Sequence, residues 1–286
     1  LTQTVQLERI DVYRLGEDRW LLAPPEGEFW GVRRQLSGQL LNVRYPARDE
    51  QIVQRLAADL EAKLVQLCNL PGISCPADAR VRLEFSPEPE TLLHATFINS
   101  LTYYRDAPRW AILGGAQRIS LPTPSLVGVP QDEFGYQILL RGYASQFLPP
   151  ILNDLTGWEC CQNVPYYRAI VTYQLYELGV MSWPLATVSP AATAVSLPNN
   201  FTLGNGALYW NAPFPEISTD YARTPEPYVV VDFLINELHL PTIEITTGVL
   251  ASEGTLFGQW LTGLTGDPWT EATLNHAFQE YVAKWQ

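Results

Sequence analysis

The sequence predicts an α+β protein, in which a mixed α/β region over residues 1–125 precedes a mainly helical region over residues 126–286. Two periodicities and one break between them support this class. Apolar and polar residues alternate over short segments in the first part of the chain, which is typical of strands. After Pro130 the apolar residues recur at spacings of three and four, which is typical of helices. The proline-rich stretch 122–130 separates the two patterns and is interpreted as an extended linker.

The N-terminal region is expected to begin with strands at residues 5–13, 20–23 and 40–45. A long amphipathic helix should follow, beginning near the capping residue Asp49 and ending before Pro71 and Gly72. Apolar residues at helical spacing mark its buried face: Ile52, Val53, Leu56, Leu60, Leu64 and Leu67. Residues 81–85, 96–104 and 110–113 have the patterns of further strands, and Gly114-Gly115 has the composition of a hairpin turn before Ile119.

The C-terminal region is expected to contain five helices around one long irregular insertion. The first helix should begin near Asp132 and stop at Pro149-Pro150, because proline lacks the amide hydrogen that a helix interior needs. The second should begin at Pro165, a residue suited to the first helical position. Residues 181–227 are rich in Pro, Ser, Asn and Gly and are too long for an ordinary loop. The last three helices are predicted at residues 228–238, 247–261 and 270–284.

Composition and charge exclude several classes of protein. The chain has 18 Lys+Arg against 30 Asp+Glu, a formal net charge of -12, which argues against nucleic-acid binding. It contains no apolar run of about 18 residues, so no transmembrane segment is predicted. The first residues lack the pattern of a signal peptide. Low lysine content with many aromatic residues and prolines favours an extracytoplasmic location after signal removal, and a cytoplasmic location is the alternative.

The four cysteines permit several pairings. Cys68 and Cys75 flank a Pro-Gly turn and could close a short disulfide loop, or they could remain unlinked. The adjacent Cys160 and Cys161 could form a vicinal bridge or remain two buried thiols. A structural zinc site needs four converging ligands, usually in two close pairs, and no second pair is present. No metal and no cofactor are therefore expected.

Two predicted helices carry a resemblance to a known family. The segment 135–147 and the segment 165–173 have the order and the apolar flanks of the active-site helices of peptidase MA-like domains, which are gluzincin metallopeptidases with a thermolysin-like core. In that family the first helix bears H-E-x-x-H and the second a liganding glutamate, which together bind zinc and provide a general base. Here Arg141, Gly142 and Ser145 stand where the family has its first histidine, glutamate and second histidine, and Ala169 replaces the liganding glutamate. The resemblance therefore implies a scaffold that has lost its metal site.

This interpretation leads to a functional hypothesis: a non-catalytic, extracytoplasmic binding or assembly subunit, which could belong to a larger membrane-associated complex. Its partners would be proteins, and aromatic residues around the former active site could line a cleft or an interface. The alternative is a hydrolase that uses non-zinc chemistry in the inherited cleft, with Asp132, Glu133 or Cys160 as the candidate groups. The candidate aromatic residues are Tyr143, Tyr166, Tyr167 and Trp210.

Overall fold

The computed structural model describes residues 5–8, 10–22, 26–94, 110–156, 164–183, 185, 226–242 and 257–284. Helices and sheets are both present, so the α+β class is confirmed. The chain forms two compact units, Leu1–Gly157 and Trp158–Gln286. This division lies later than the boundary predicted after residue 125, because the first long helix after Pro130 packs on the sheet of the first unit. Each unit is described separately below.

A four-stranded sheet forms the centre of the first unit. Its strands are β4 (Arg33–Ser37), β5 (Leu41–Pro46), β6 (Val81–Ser86) and β7 (Arg118–Pro122), in the spatial order β4-β5-β6-β7. The pair β4-β5 is antiparallel, whereas β5-β6 and β6-β7 are parallel. Successive side chains of a strand point to opposite faces. The sheet therefore has one apolar, buried face and one polar face.

Helix α2 (Glu50–Cys68) forms the crossover between β5 and β6. Its leucines at the predicted positions 56, 60, 64 and 67 are fully buried. Burying an aliphatic side chain contributes about 1.5–3 kcal/mol, so this stripe accounts for the stability of the helix on the sheet. A disulfide between Cys68 and Cys75, with a Cα–Cα distance of 5.3 Å, closes the loop that follows the helix.

Short elements complete the first unit. They are strands β1 (Leu7–Glu8), β2 (Tyr13–Leu15), β3 (Trp20–Leu22) and β8 (Val129–Pro130), and helices α1 (Gly27–Trp30), α3 (Glu90–His94) and α4 (Pro124–Val127). β2 pairs with β3, and β1 pairs with β8. The segment 122–130 is thus not the extended linker that the sequence predicted, because it contains the end of β7, α4 and β8.

The long helix α5 spans Glu133–Thr156 and continues through Pro149 and Pro150. The prediction that these prolines end the helix was wrong. Phe147, Leu148 and Ile151 on either side of the prolines are fully buried. Their packing outweighs the cost of a proline in a helix interior, about 3 kcal/mol.

Residues 110–117 form a turn and not the predicted strand and hairpin. Trp110 adopts a positive φ of 67°, and the backbone N–H of Gly114 donates to the carbonyl of Trp110 at 2.8 Å. A carboxylate oxygen of Asp154, from the end of α5, accepts the N–H of Leu113 at 2.8 Å. The next strand, β7, begins at Arg118 and pairs in parallel with β6, so Gly114-Gly115 does not join two antiparallel strands. The predicted strand at 96–104 lies outside the described residues.

The described part of the second unit is helical. It comprises α6 (Val164–Glu177), α7 (Glu226–Asp232) with a π-helical continuation at Phe233–Glu237, α8 (Phe257–Thr265) and α9 (Glu271–Ala283). Its core contains Ile170, Val230, Phe233, Leu261 and Phe278. The irregular insertion predicted at 181–227 lies mostly outside the described residues, as does the first part of the helix predicted at 247–261. In the described ranges of both units, no helix has the length and apolar character needed to cross a membrane.

Candidate functional site

The three positions of α5 that the resemblance would align with the H-E-x-x-H motif lie at the surface of the helix. Arg141 and Gly142 are exposed, and Ser145 is partly exposed. A Cβ atom added at Gly142 would meet no atom within 4 Å. The hydroxyl of Ser145 donates to the carbonyl of Gly142 at 2.8 Å, so it is engaged with its own helix. These positions therefore supply a cation, an open space and a hydroxyl that is already hydrogen-bonded.

The fourth position of the resemblance, Ala169, belongs to α6 in the second unit. Its side chain is fully buried and packs in the apolar core of that unit with Ile170 and Val230. A methyl group in such surroundings has no electron pair to offer a metal ion. At this position the chain has a core residue where the family has a ligand.

A groove of about 300 Å³ lies along α5 and includes Gly142 and Ser145 in its wall. Its surface is mostly apolar, and none of the lining residues is Asp, Glu, His, Cys, Lys or Arg. Ile138 is 40% exposed at its rim. The groove is bounded by α5, β7, α4 and β1, and its lining residues are Leu7, Leu121, Pro122, Val127, Gly135, Ile138, Leu139, Gly142, Tyr143, Ser145 and Gln146.

Tyr143 is the only lining side chain that can ionise, and its environment opposes ionisation. Its hydroxyl donates to the carbonyl of Pro122 at 2.7 Å, and its ring packs edge-on against Phe85 with centroids 5.2 Å apart. Burial, together with the negative charge of Asp49, raises the pKa of Tyr143 well above its usual value. Tyr143 is therefore a neutral hydrogen-bond donor that forms part of the groove's wall.

The two carboxylates at the start of α5 serve the helix and its packing. Asp132 accepts the backbone N–H of Gly135 at 2.7 Å, which caps the helix. Glu133 accepts a hydrogen bond from Gln137 at 2.8 Å and two from the guanidinium of Arg55, at 2.7 and 2.8 Å. These hydrogen bonds lower the pKa of Glu133, so its carboxylate is ionised at neutral pH and cannot act as a general acid.

A polar cluster that the sequence did not reveal joins α2 to α5. The guanidinium of Arg55 lies 3.5 Å above the ring of Tyr136, and the hydroxyl of Tyr136 donates to Asp59 at 2.5 Å. Burial and the bond to Asp59 raise the pKa of Tyr136. The spacing of Arg55 and Asp59, four residues apart on the polar side of a helix, was the only local signal of this cluster.

Two buried carboxylates in the first unit also have structural partners. Asp49 accepts hydrogen bonds from the hydroxyls of Thr123 and Ser125, the latter at 2.5 Å. Asp154 accepts backbone N–H groups of the turn at 110–113. In each case the donors stabilise a charge that burial alone would make costly. Neither carboxylate lines the groove.

The candidate aromatic residues belong to different parts of the chain. Tyr143 lies in its wall, whereas Tyr167 is buried in the second unit. The side chain of Tyr166 and the whole of Trp210, like Cys160 and Cys161, lie outside the described residues. Within the described parts of the chain, no three His, Cys, Asp or Glu residues are grouped closely enough to hold a metal ion.

Comparison of the chain with family models, with curated proteins and with solved structures finds no match.

Proposed function

We propose that the chain is a non-catalytic binding or assembly subunit, built on a gluzincin-like scaffold of the peptidase MA type, that binds a protein partner through the groove beside α5. The observation that carries this proposal is the lining of the groove. It contains the positions of the former general base and second histidine, and it is apolar and without a group that transfers protons near neutral pH. Exposed apolar surface of this kind marks sites where proteins bind partners.

The replaced motif supports the non-catalytic part of the proposal. A hydrolytic zinc site needs three protein ligands and a base that activates water. Arg141 and Gly142 cannot coordinate zinc, and Ser145 has its hydroxyl bonded to its own helix. The hydrolase alternative has weaker support, because Asp132 and Glu133 are engaged by the helix cap and by Arg55.

The disulfide between Cys68 and Cys75 supports the proposed extracytoplasmic location. Disulfides persist in oxidising compartments and are rare where glutathione keeps thiols reduced. A chain with a disulfide and an open apolar groove suits the proposed role as a subunit that binds a protein partner.

Metal analysis combined with a peptidase assay tests the non-catalytic part. The purified full chain is incubated with zinc, desalted, and assayed for bound zinc and for hydrolysis of casein with and without a chelator. We expect no stoichiometric zinc and no chelator-sensitive hydrolysis. One zinc per chain together with hydrolysis that the chelator abolishes would overturn the proposal.

A further inference from the structure

The polar face of the central sheet carries an unusual concentration of positive charge. The strand register places Arg33, Arg44, Arg82 and Arg118 on this face, together with Glu84. Four arginines and one glutamate give these five groups a formal charge of +3, in a chain whose net charge is -12. The face is on the opposite side of the sheet from the residues that pack against α2, so the core does not require these arginines.

Two of the four arginines share one carboxylate within the sheet. Arg33 forms an ion pair with one carboxylate oxygen of Glu84, and Arg118 lies 2.8 Å from the other oxygen. The side chain of Glu84 is only 6% exposed, and its single charge is shared between these two arginines. No described residue forms an ion pair with Arg44 or Arg82, and both side chains are exposed.

The arrangement of these arginines is costly for the sheet itself. Arg82 stands directly opposite Arg118 in the register of β6 and β7. Like charges at opposed positions destabilise a pair of strands. Residues that destabilise the structure around them are expected mainly at functional sites, where they serve another purpose. The residues therefore point to a ligand that supplies the missing negative charge.

The face also contains a cavity of suitable size. A volume of about 580 Å³ lies over β5, β6 and β7, and its wall includes the turn that precedes β7. Volumes of roughly 300–1,000 Å³ are typical of small-molecule sites. The side-chain amides of Gln35, Asn42 and Gln117 add hydrogen-bond donors to the lining, beside the guanidinium groups of the arginines. The lining residues are Gln35, Asn42, Arg44, Arg82, Leu83, Glu84, Ala116, Gln117 and Arg118.

We infer that this cavity binds a small ligand with two or more anionic groups, carboxylates or phosphates, through the guanidinium groups of Arg44 and Arg82. Diagonal neighbours on adjacent strands lie about 7–8 Å apart, so two arginines placed in this way can each take a separate anionic group. Guanidinium groups bind carboxylate and phosphate oxygens in pairs, which favours such ligands over a single chloride-like ion. This site is separate from the groove beside α5, so its test is independent of the proposed function.

Calorimetric titration of the purified full chain tests the inference, with citrate and pyrophosphate as separate probes in about 150 mM salt. We expect saturable binding of at least one probe. Tighter binding of citrate would identify carboxylates as the preferred groups, and tighter binding of pyrophosphate would identify phosphates. The double variant Arg44→Gln/Arg82→Gln should bind at least about tenfold more weakly, because bonds to charged groups contribute most of the affinity. Arg82→Lys, which retains the charge but loses the planar fork, should weaken binding by a smaller factor.

Arg34→Gln provides a matched control. Arg34 lies on the same strand as Arg33, but it faces the other side of the sheet and pairs with Glu50 at 2.8 Å. Its removal changes the net charge by the same amount as each cavity substitution and should leave the affinity unchanged. Equal weakening by Arg34→Gln would mean that the anions respond only to net charge, and would overturn the inference. Absence of saturable binding, or tighter binding of hexaglutamate than of either small anion, would overturn it as well.

Discussion

Replacing Gly142 with alanine is expected to stabilise the protein. Gly142 lies in the interior of α5 with an exposed backbone, and a Cβ at this position would meet nothing within 4 Å. Glycine is less favourable than alanine inside a helix by about 0.8–1.0 kcal/mol. With no new contact to offset that gain, Gly142→Ala should raise the free energy of unfolding by about 0.8 kcal/mol and the melting temperature by about 1.5–3 °C.

Urea unfolding followed by circular dichroism measures this change, and Gly135→Ala is the matched control on the same helix. A Cβ at Gly135 would lie 3.1 Å from a carboxylate oxygen of Asp132 and 3.1 Å from the Cβ of Pro130. This crowding should cancel the gain in helix propensity or cost about 1 kcal/mol. If Gly142→Ala leaves stability unchanged or lowers it, then the groove is not open at that position and the reasoning is refuted.

Two further predictions concern the first unit. Cys68→Ser should lower the free energy of unfolding by about 2.5 kcal/mol, the chain-entropy estimate for a closed loop of about eight residues. Unfolding of the oxidised protein and the variant checks this value, and equal stabilities would contradict it. Burial raises the pKa of Asp154, so the folded state holds this proton to higher pH than the unfolded chain does. Its contribution to stability should therefore fall as the pH rises from about 4 through the raised pKa. Asp154→Asn, whose side chain is uncharged like the protonated carboxyl, should remove that pH-dependent loss, and its stability relative to the unmodified protein should rise from pH 4 towards pH 7. Urea unfolding between pH 4 and pH 7 tests both statements, which identical pH profiles would contradict.

The parts of the fold that local sequence could predict are those stabilised by nearby residues. Helix α2 has apolar residues at every turn, and its predicted bounds agree closely with Glu50–Cys68. The continuation of α5 through Pro149 and Pro150 was not predictable, because it depends on burial against distant elements. The turn at 110–117 escaped prediction for a similar reason. The turn is held by Asp154, which accepts a hydrogen bond from the N–H of Leu113 although the two residues are 41 positions apart in the sequence.

The candidate site also has some features that the sequence could predict and others that depend on the tertiary structure. The residues at positions 141, 142 and 145, on which the proposed loss of a metal site rests, can be read from the sequence alone. The groove beside them is not visible there, since it is formed jointly by α5, β7, α4 and β1. The charged sheet face depends on the register of three strand pairs. Arg33 and Glu84, which are 51 residues apart, become partners only when that register is known.

Site-specific photo-crosslinking tests the central claim, that the groove beside α5 is the surface that binds a partner. A photoreactive phenylalanine analogue replaces Ile138, which lies at the groove and is 40% exposed, or Arg141, which is exposed on the same helix but does not line the groove. Both variants are irradiated in the native membrane fraction, and the products are separated by mass and sequenced by mass spectrometry. We expect one discrete crosslinked protein from position 138 and none from position 141. Equal crosslinking from both positions, or none from position 138 while the protein is bound to its complex, would contradict the claim.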